Sequence, residues 1–158
     1  MTRTPRANTN SNGALRTACD AVVLDGRSAR RLHLSRTPRG SLHVEELARL
    51  DEVWDEKAHH RTSKMSAHGR SLPNTRHERE ERLQRFARDV GAWLGHAPAV
   101  DGLLPVLCTA AMLGALREVS EASLLRRLDF HECDLVRLQP AELAAHPTII
   151  ALLPLAAG

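Results

Sequence analysis

Residues 75–119, TRHEREERLQRFARDVGAWLGHAPAVDGLLPVLCTAAMLGALREV, decide the fold class. In the first half Leu83, Phe86, Ala87, Val90 and Leu94 recur at steps of three and four with Trp93 beside them. Glu80, Glu81, Arg85, Arg88 and Asp89 fall on the other side, so the segment predicts a helix with one buried face. Thr75 followed by Glu78 is a capping-box pattern for its start, and Gly95 is a natural end. Residues 103–108 are nearly all apolar and too short for a helix, which fits a strand covered on both faces. Met112, Leu113, Leu116 and Val119 then restore helical spacing. Helix, buried strand, helix is the kernel of an α/β layer. Pro105 conflicts with a central strand because it lacks a ladder donor, so the sequence predicts an edge or bulged strand, or one confined to residues 106–109.

Working toward the N-terminus, residues 51–74 show no sustained period and are rich in His, Ser, Arg and Gly. A polar loop this long inside a compact domain is functional or disordered. Before it, residues 21–24 are an apolar run closed by Asp25 and Gly26, residues 29–35 alternate as a half-exposed strand does, and Pro38-Arg39-Gly40 makes a turn. Residues 42–50 then return as an antiparallel strand, with a helix over 45–52 as the rival. Residues 1–18 hold too little apolar surface to offset the entropy of ordering and are expected to be a flexible tail.

Toward the C-terminus, Ser120 is a good N-cap for a short helix containing Leu124, Leu125 and Leu128. Residues 129–138 alternate weakly, as a final strand would. Pro140 suits the first position of a helix over 141–145, which His146-Pro147 ends. Residues 148–158 form an apolar tail that docks on the domain or mediates self-association. A single α/β domain over 19–147 is expected, with a mixed sheet flanked by helices.

The chain has 158 residues and a formal charge of +3, unevenly spread. Eight arginines lie in residues 1–39 against Asp20 and Asp25, and residues 57–76 carry five basic residues with no acid. Such segments meet phosphate backbones or simply solvate the surface. All but two of the 22 basic residues are arginine, a skew that composition alone explains. Four aromatics, Trp54, Phe86, Trp93 and Phe130, offer no evident platform for stacking bases. The three cysteines lack a C-x-x-C pair and fit reduced thiols in a cytoplasm. No run is long and apolar enough to span a bilayer, so no membrane association is expected.

His59, His60, His68 and His77 invite a metal reading, but no pair has the spacing of a zinc motif, so neither a metal nor a cofactor is expected. A hydrolase built from Ser66 or Ser71 with His68 and Asp55 needs a geometry that neighbours on one loop rarely hold. Cys108, at the end of the apolar strand, reads as a small hydrophobe. Asp25 and Gly26 read as turn residues.

Four segments together carry a family resemblance. The stretch Val22-Val23-Leu24-Asp25-Gly26-Arg27-Ser28-Ala29-Arg30 resembles the V-x-x-A-D-G-x-x-A-R opening of the bacterial host attachment proteins, described as required for attachment to host cells. Residues 80–94, with their R-F-A-R-x-V-x-x-W-L core, look like that family's central helix. Leu113-Gly114-Ala115-Leu116-Arg117 is similar to its L-G-x-L-R segment, and residues 134–147 are similar to its closing D-L-x-x-L-x-x-x-E-L-x-x-H. Order and spacing agree over roughly residues 20–150.

The resemblance implies a fold like the middle domain of archaeal and eukaryotic class-1 release factors, an RNase H-like layer, and relatives suspected of acting at the ribosome. Release factors carry a Gly-Gly-Gln tripeptide on the loop before the long helix. Here that loop has Ser66-Ala67-His68-Gly69-Arg70-Ser71, and no such tripeptide occurs in the chain. Thr109-Ala110-Ala111 stands where relatives tend to carry P-P-R. The implied role is a non-catalytic protein that contacts ribosome or RNA through Arg30, Arg31, Lys57, Arg61, Lys64, Arg70 and Arg76, with His68 and Gly69 as the loop positions of interest. The rivals are a hydrolase or nuclease using the His/Ser-rich loop and a protein-interaction module presenting the C-terminal tail.

Overall fold

The structure, a computed structural model, describes residues 16–53, 75–98 and 100–155. The elements are β1 (Ala18–Leu24), β2 (Ser28–Arg36), β3 (Leu42–Asp51), α1 (Thr75–His96), β4 (Leu104–Cys108), α2 (Ala110–Val119), α3 (Ala122–Leu125), β5 (Leu128–Glu132), α4 (Pro140–Ala145) and α5 (Pro147–Leu152). The strands form one open mixed sheet in the order β3-β2-β1-β4-β5. β1, β2 and β3 make an antiparallel meander, and β1, β4 and β5 run parallel. Parallel neighbours need crossover connections, which α1 supplies between β1 and β4 and α2–α3 supply between β4 and β5.

Residues 21–24 of β1 are buried, their side chains alternating between the two faces, which explains the unbroken apolar run there. Val22 and Leu24 face a core completed by Phe86, Ala87, Val90 and Leu94 of α1 and Met112 and Leu116 of α2. Cys19, Ala21 and Val23 face a second core that holds Leu143 of α4 and Ile149 and Leu152 of α5. The sheet is thus a middle layer between two helical layers.

Several expectations need correction. β4 is neither an edge nor confined to residues 106–109: it lies between β1 and β5 and includes Pro105. The proline is tolerated because the ladder with β1 begins one residue later, at Val22 opposite Val106. Ser120 is the C-cap of α2, donating its backbone N–H to Leu116 O, and Glu121 occupies the N-cap of α3. Leu128 belongs to β5, which stops at Glu132. α1 begins at Thr75, where its start was expected. The stretch expected as an apolar tail begins as helix α5, with Ile149, Leu152 and Leu153 in the core. Ile150 and Leu155 remain exposed. The expected flexible tail and the polar loop lie outside the described residues, except for 16–18 and 51–53. Among the described residues no helix is long and apolar enough to cross a membrane.

The carboxyl edge of the parallel strands is where α/β sheets usually place ligands. Leu24, Cys108 and Glu132 mark that edge, and Asp51 at the end of β3 sits beside Ser28. α1 starts there too. Arg82 pairs with Glu52, and Leu83 packs so close to Gly26 that a Cβ there would sit 3.2 Å from its Cδ1.

Candidate functional site

The arginines singled out in β2 have internal partners. Consecutive strand residues point to opposite faces, so Arg30 and Arg31 cannot share one basic surface, and both are buried. Arg30 Nη1 donates to Val136 O at 2.8 Å and Leu138 O at 2.7 Å, tying the segment before α4 to the sheet. Its Nε lies 3.3 Å from Glu46 Oε1, close enough for charge pairing though not aligned as a hydrogen bond. Farther along β2, Arg36 donates twice to Leu153 O and once to Gly40 O, fastening the end of α5 to the β2–β3 turn. The planar, multi-donor guanidinium suits such bridging of carbonyls.

Arg31, on the α1 side, belongs to a three-residue cluster at the amino edge of the sheet. Its Nη2 donates to Asp20 Oδ2 at 2.8 Å and its Nε to the same oxygen at 3.3 Å, while Nη2 also reaches Pro98 O at 3.3 Å. The other Asp20 oxygen, Oδ1, lies 2.8 Å from His33 Nδ1. Burial alone would raise the Asp20 pKa. Hydrogen bonds from His33 and Arg31, and their charges, outweigh it and hold the carboxyl below its ordinary range. Alternation puts Asp20, Arg31 and His33 on one face: β1 and β2 pair Asp20 with His33 and Val22 with Arg31. Sequence reasoning had not selected Asp20 or His33; the only signal was strand alternation, which could place them with Arg31 on one face once the β1–β2 register is known.

The cluster opens on two recesses that share Asp20 and Val100. One, of about 390 Å³, includes Arg16, Cys19, His33 and Asp101. The other, of about 400 Å³, lies between the end of α1 and the β2–β3 hairpin and is lined by Arg31, Leu47, Ala48, Trp93, His96 and Pro98 among others. A third groove, of about 360 Å³, runs between α1 and the α2–α3 junction, with Arg88 and Arg127 on its walls. Sequence reasoning had not selected that arginine pair, because α1 and the turn after α3 bring it together.

At the carboxyl edge the polar groups are committed to structure. Asp25 Oδ1 accepts the backbone N–H groups of Arg27 at 2.8 Å and Ser28 at 2.9 Å, as a turn residue should. Ser28 Oγ donates to Asp51 Oδ1 at 2.6 Å. That hydrogen bond, and a further one from Arg49, lower the Asp51 pKa, which makes the carboxylate a poor base for the hydroxyl. Burial pushes the Cys108 thiol up to about 11, and Cys19 likewise to about 11, so both stay protonated and weakly nucleophilic. Thr109 accepts from Met112 N and caps α2.

Arg76 is exposed on the first turn of α1 and pairs with Glu80 at 3.3 Å. Lys57, Arg61, Lys64, His68, Gly69 and Arg70 lie outside the described residues. Among the described residues no group of three or more His, Cys, Asp or Glu side chains is arranged to hold a metal ion. The chain matches no family model, and no curated protein matches it significantly.

Proposed function

We propose that this protein is a non-catalytic RNA-binding protein of the host attachment type, with a release-factor-like fold, that meets ribosomal RNA through its basic segment. The observation that carries this reading is the placement of the elements on either side of that segment. The described elements that flank this acid-free run in the sequence, the end of β3 and the first turns of α1, are held together by the Arg82–Glu52 pair near the carboxyl edge of the parallel strands. That edge is the usual ligand crevice of an open α/β sheet, and a run of sequence with five basic residues and no acid suits a phosphate backbone.

The strand order β3-β2-β1-β4-β5, an antiparallel meander continued by two parallel strands, supports the release-factor-like comparison. The lack of Gly-Gly-Gln in the sequence supports a binding role over peptide release, and at the described carboxyl edge Ser28 is bonded to Asp51 while Cys108 is buried. Arg30 and Arg31 drop out of the interface because their side chains are internal.

Ribosome co-sedimentation at low salt tests the reading. The wild type is expected in the ribosomal pellet, and the variant Lys57→Gln/Lys64→Gln/Arg70→Gln in the supernatant. Failure of the wild type to pellet at any salt would sink the proposal.

A further inference from the structure

We propose that the groove between α1 and the α2–α3 junction binds a small organic phosphomonoester, its phosphate on Arg88 and Arg127 and its apolar part against Val119 and Leu124. The proposal does not rest on RNA binding.

The groove, about 360 Å³, falls in the size range of small-molecule sites, which join apolar surface to a few convergent polar groups. Arg88 lines it from α1 together with Gly91 and Gly95, and Arg127 lines it from the other side with Val119 and Leu124. Two observations point to an anionic occupant.

The first is that both guanidinium groups are exposed and uncommitted. Among the described residues, neither the Arg88 nor the Arg127 side chain has a hydrogen-bond or salt-bridge partner. Glu121, the acidic residue of the lining, accepts from Ser123 Oγ at 3.5 Å and pairs with neither arginine. The lining therefore keeps a net positive charge, unlike the groove at Arg31, where Asp20 supplies the counter-charge. Two like charges on one groove repel, and an anion that meets both converts the repulsion into attraction. Phosphate suits the pair better than carboxylate. One guanidinium is enough to take up a carboxylate, as Arg49 does by reaching both oxygens of Asp51. A phosphomonoester carries more than one negative charge near neutral pH and has three terminal oxygens, so it can accept from two arginines at once.

The second observation is Gly95. Glycine is a poor helix residue, yet α1 continues through Gly95 to His96. The residue has no positive φ, and a Cβ added to it would meet no atom within 4 Å. Neither turn geometry nor tight packing among the described residues calls for glycine there. Gly95 lines the groove, and a bare backbone lets a ligand approach closely.

Isothermal titration calorimetry of the full chain with phenyl phosphate tests the proposal. Saturable binding is expected at millimolar concentrations or below, at least tenfold tighter than that of inorganic phosphate, which lacks the apolar part. Arg88→Gln/Arg127→Gln, at exposed positions and with the fold checked by circular dichroism, is expected to weaken phenyl phosphate at least tenfold. Arg85→Gln/Arg137→Gln removes the same charge at exposed positions outside the groove and is expected to leave the affinity within twofold. No saturable binding, equal affinity for inorganic phosphate, or an equal loss in the two double variants would each overturn the proposal.

Discussion

At the scale of single residues, the arginines of β2 show how charge in a sequence can mislead about surface. Arg30, Arg31 and Arg36 lie in one strand, yet each guanidinium is used as a bracket between elements distant in the chain. Alternation already implied that Arg30 and Arg31 could not share a face. Their carbonyl and carboxylate partners were not legible, because they come from segments such as Val136 and Pro98 whose positions depend on the whole fold. Asp20 is the hub on the α1 side. Its carboxylate pKa is lowered in the folded protein and returns toward about 3.9 when the chain unfolds. Its stabilising contribution is therefore complete above that ordinary value and is lost as pH falls through the lower folded value. Asp20→Asn leaves Arg31 without its counter-charge and is expected to cost about 2 kcal/mol at pH 7, the scale of a hydrogen bond to a charged group, because Asp20 is only partly buried. Urea unfolding at pH 7 and pH 3 checks both parts: the deficit should be large at pH 7 and smaller at pH 3.

At the scale of elements, periodicity identified the strong signals and missed the short ones. The apolar stripe of α1 and the continuous apolar run of β1 report burial directly, and both are observed. The boundary between α2 and α3 is a different matter. Ser120 and Glu121 sit between two helices, and which of them caps which helix depends on where α2 stops packing against the sheet. β3 is an edge strand ten residues long, and its exposed charges together with the bulge at Leu47 discourage pairing with other chains.

The turn before β3 needs its glycine. Gly40 has φ +85° and lies where a Cβ would be 3.1 Å from Leu155 Cδ2. Ala at this position pays mainly for the left-handed backbone, about 1 kcal/mol. Gly40→Ala is expected to lower the melting temperature by about 3 °C, the shift that such a loss gives in a domain of this size. Differential scanning calorimetry reads it directly, and an unchanged midpoint would contradict the turn's assigned role.

At the scale of the whole molecule, the sequence led to a mixed α/β sheet with helices on its faces, because the order of periodic segments constrains topology. The basic segment was legible as composition, and the described elements on either side of it, β3 and α1, meet near the carboxyl edge of the sheet. The Arg31–Trp93 groove was not legible as a cavity, since its walls come from residues 20, 31, 47 and 93, brought together only by the meander and the crossover helix. Nor was the Arg88–Arg127 groove. The described residues thus present two grooves of different chemistry, one walled by Arg31 and Trp93 and one by Arg88 and Arg127.

The salt dependence of RNA binding tests the central claim most directly. With a fluorescent single-stranded ribosomal RNA fragment, log K against log[salt] should be linear, with a slope of about −0.7 per phosphate contact. The variant Lys57→Gln/Lys64→Gln/Arg70→Gln is predicted to bind more weakly and to have a slope about 2 units shallower, as expected for three lost contacts. Arg88→Gln/Arg127→Gln is predicted to keep the wild-type slope. No measurable binding, or a slope unchanged in the triple variant and lost instead in Arg88→Gln/Arg127→Gln, would contradict the account.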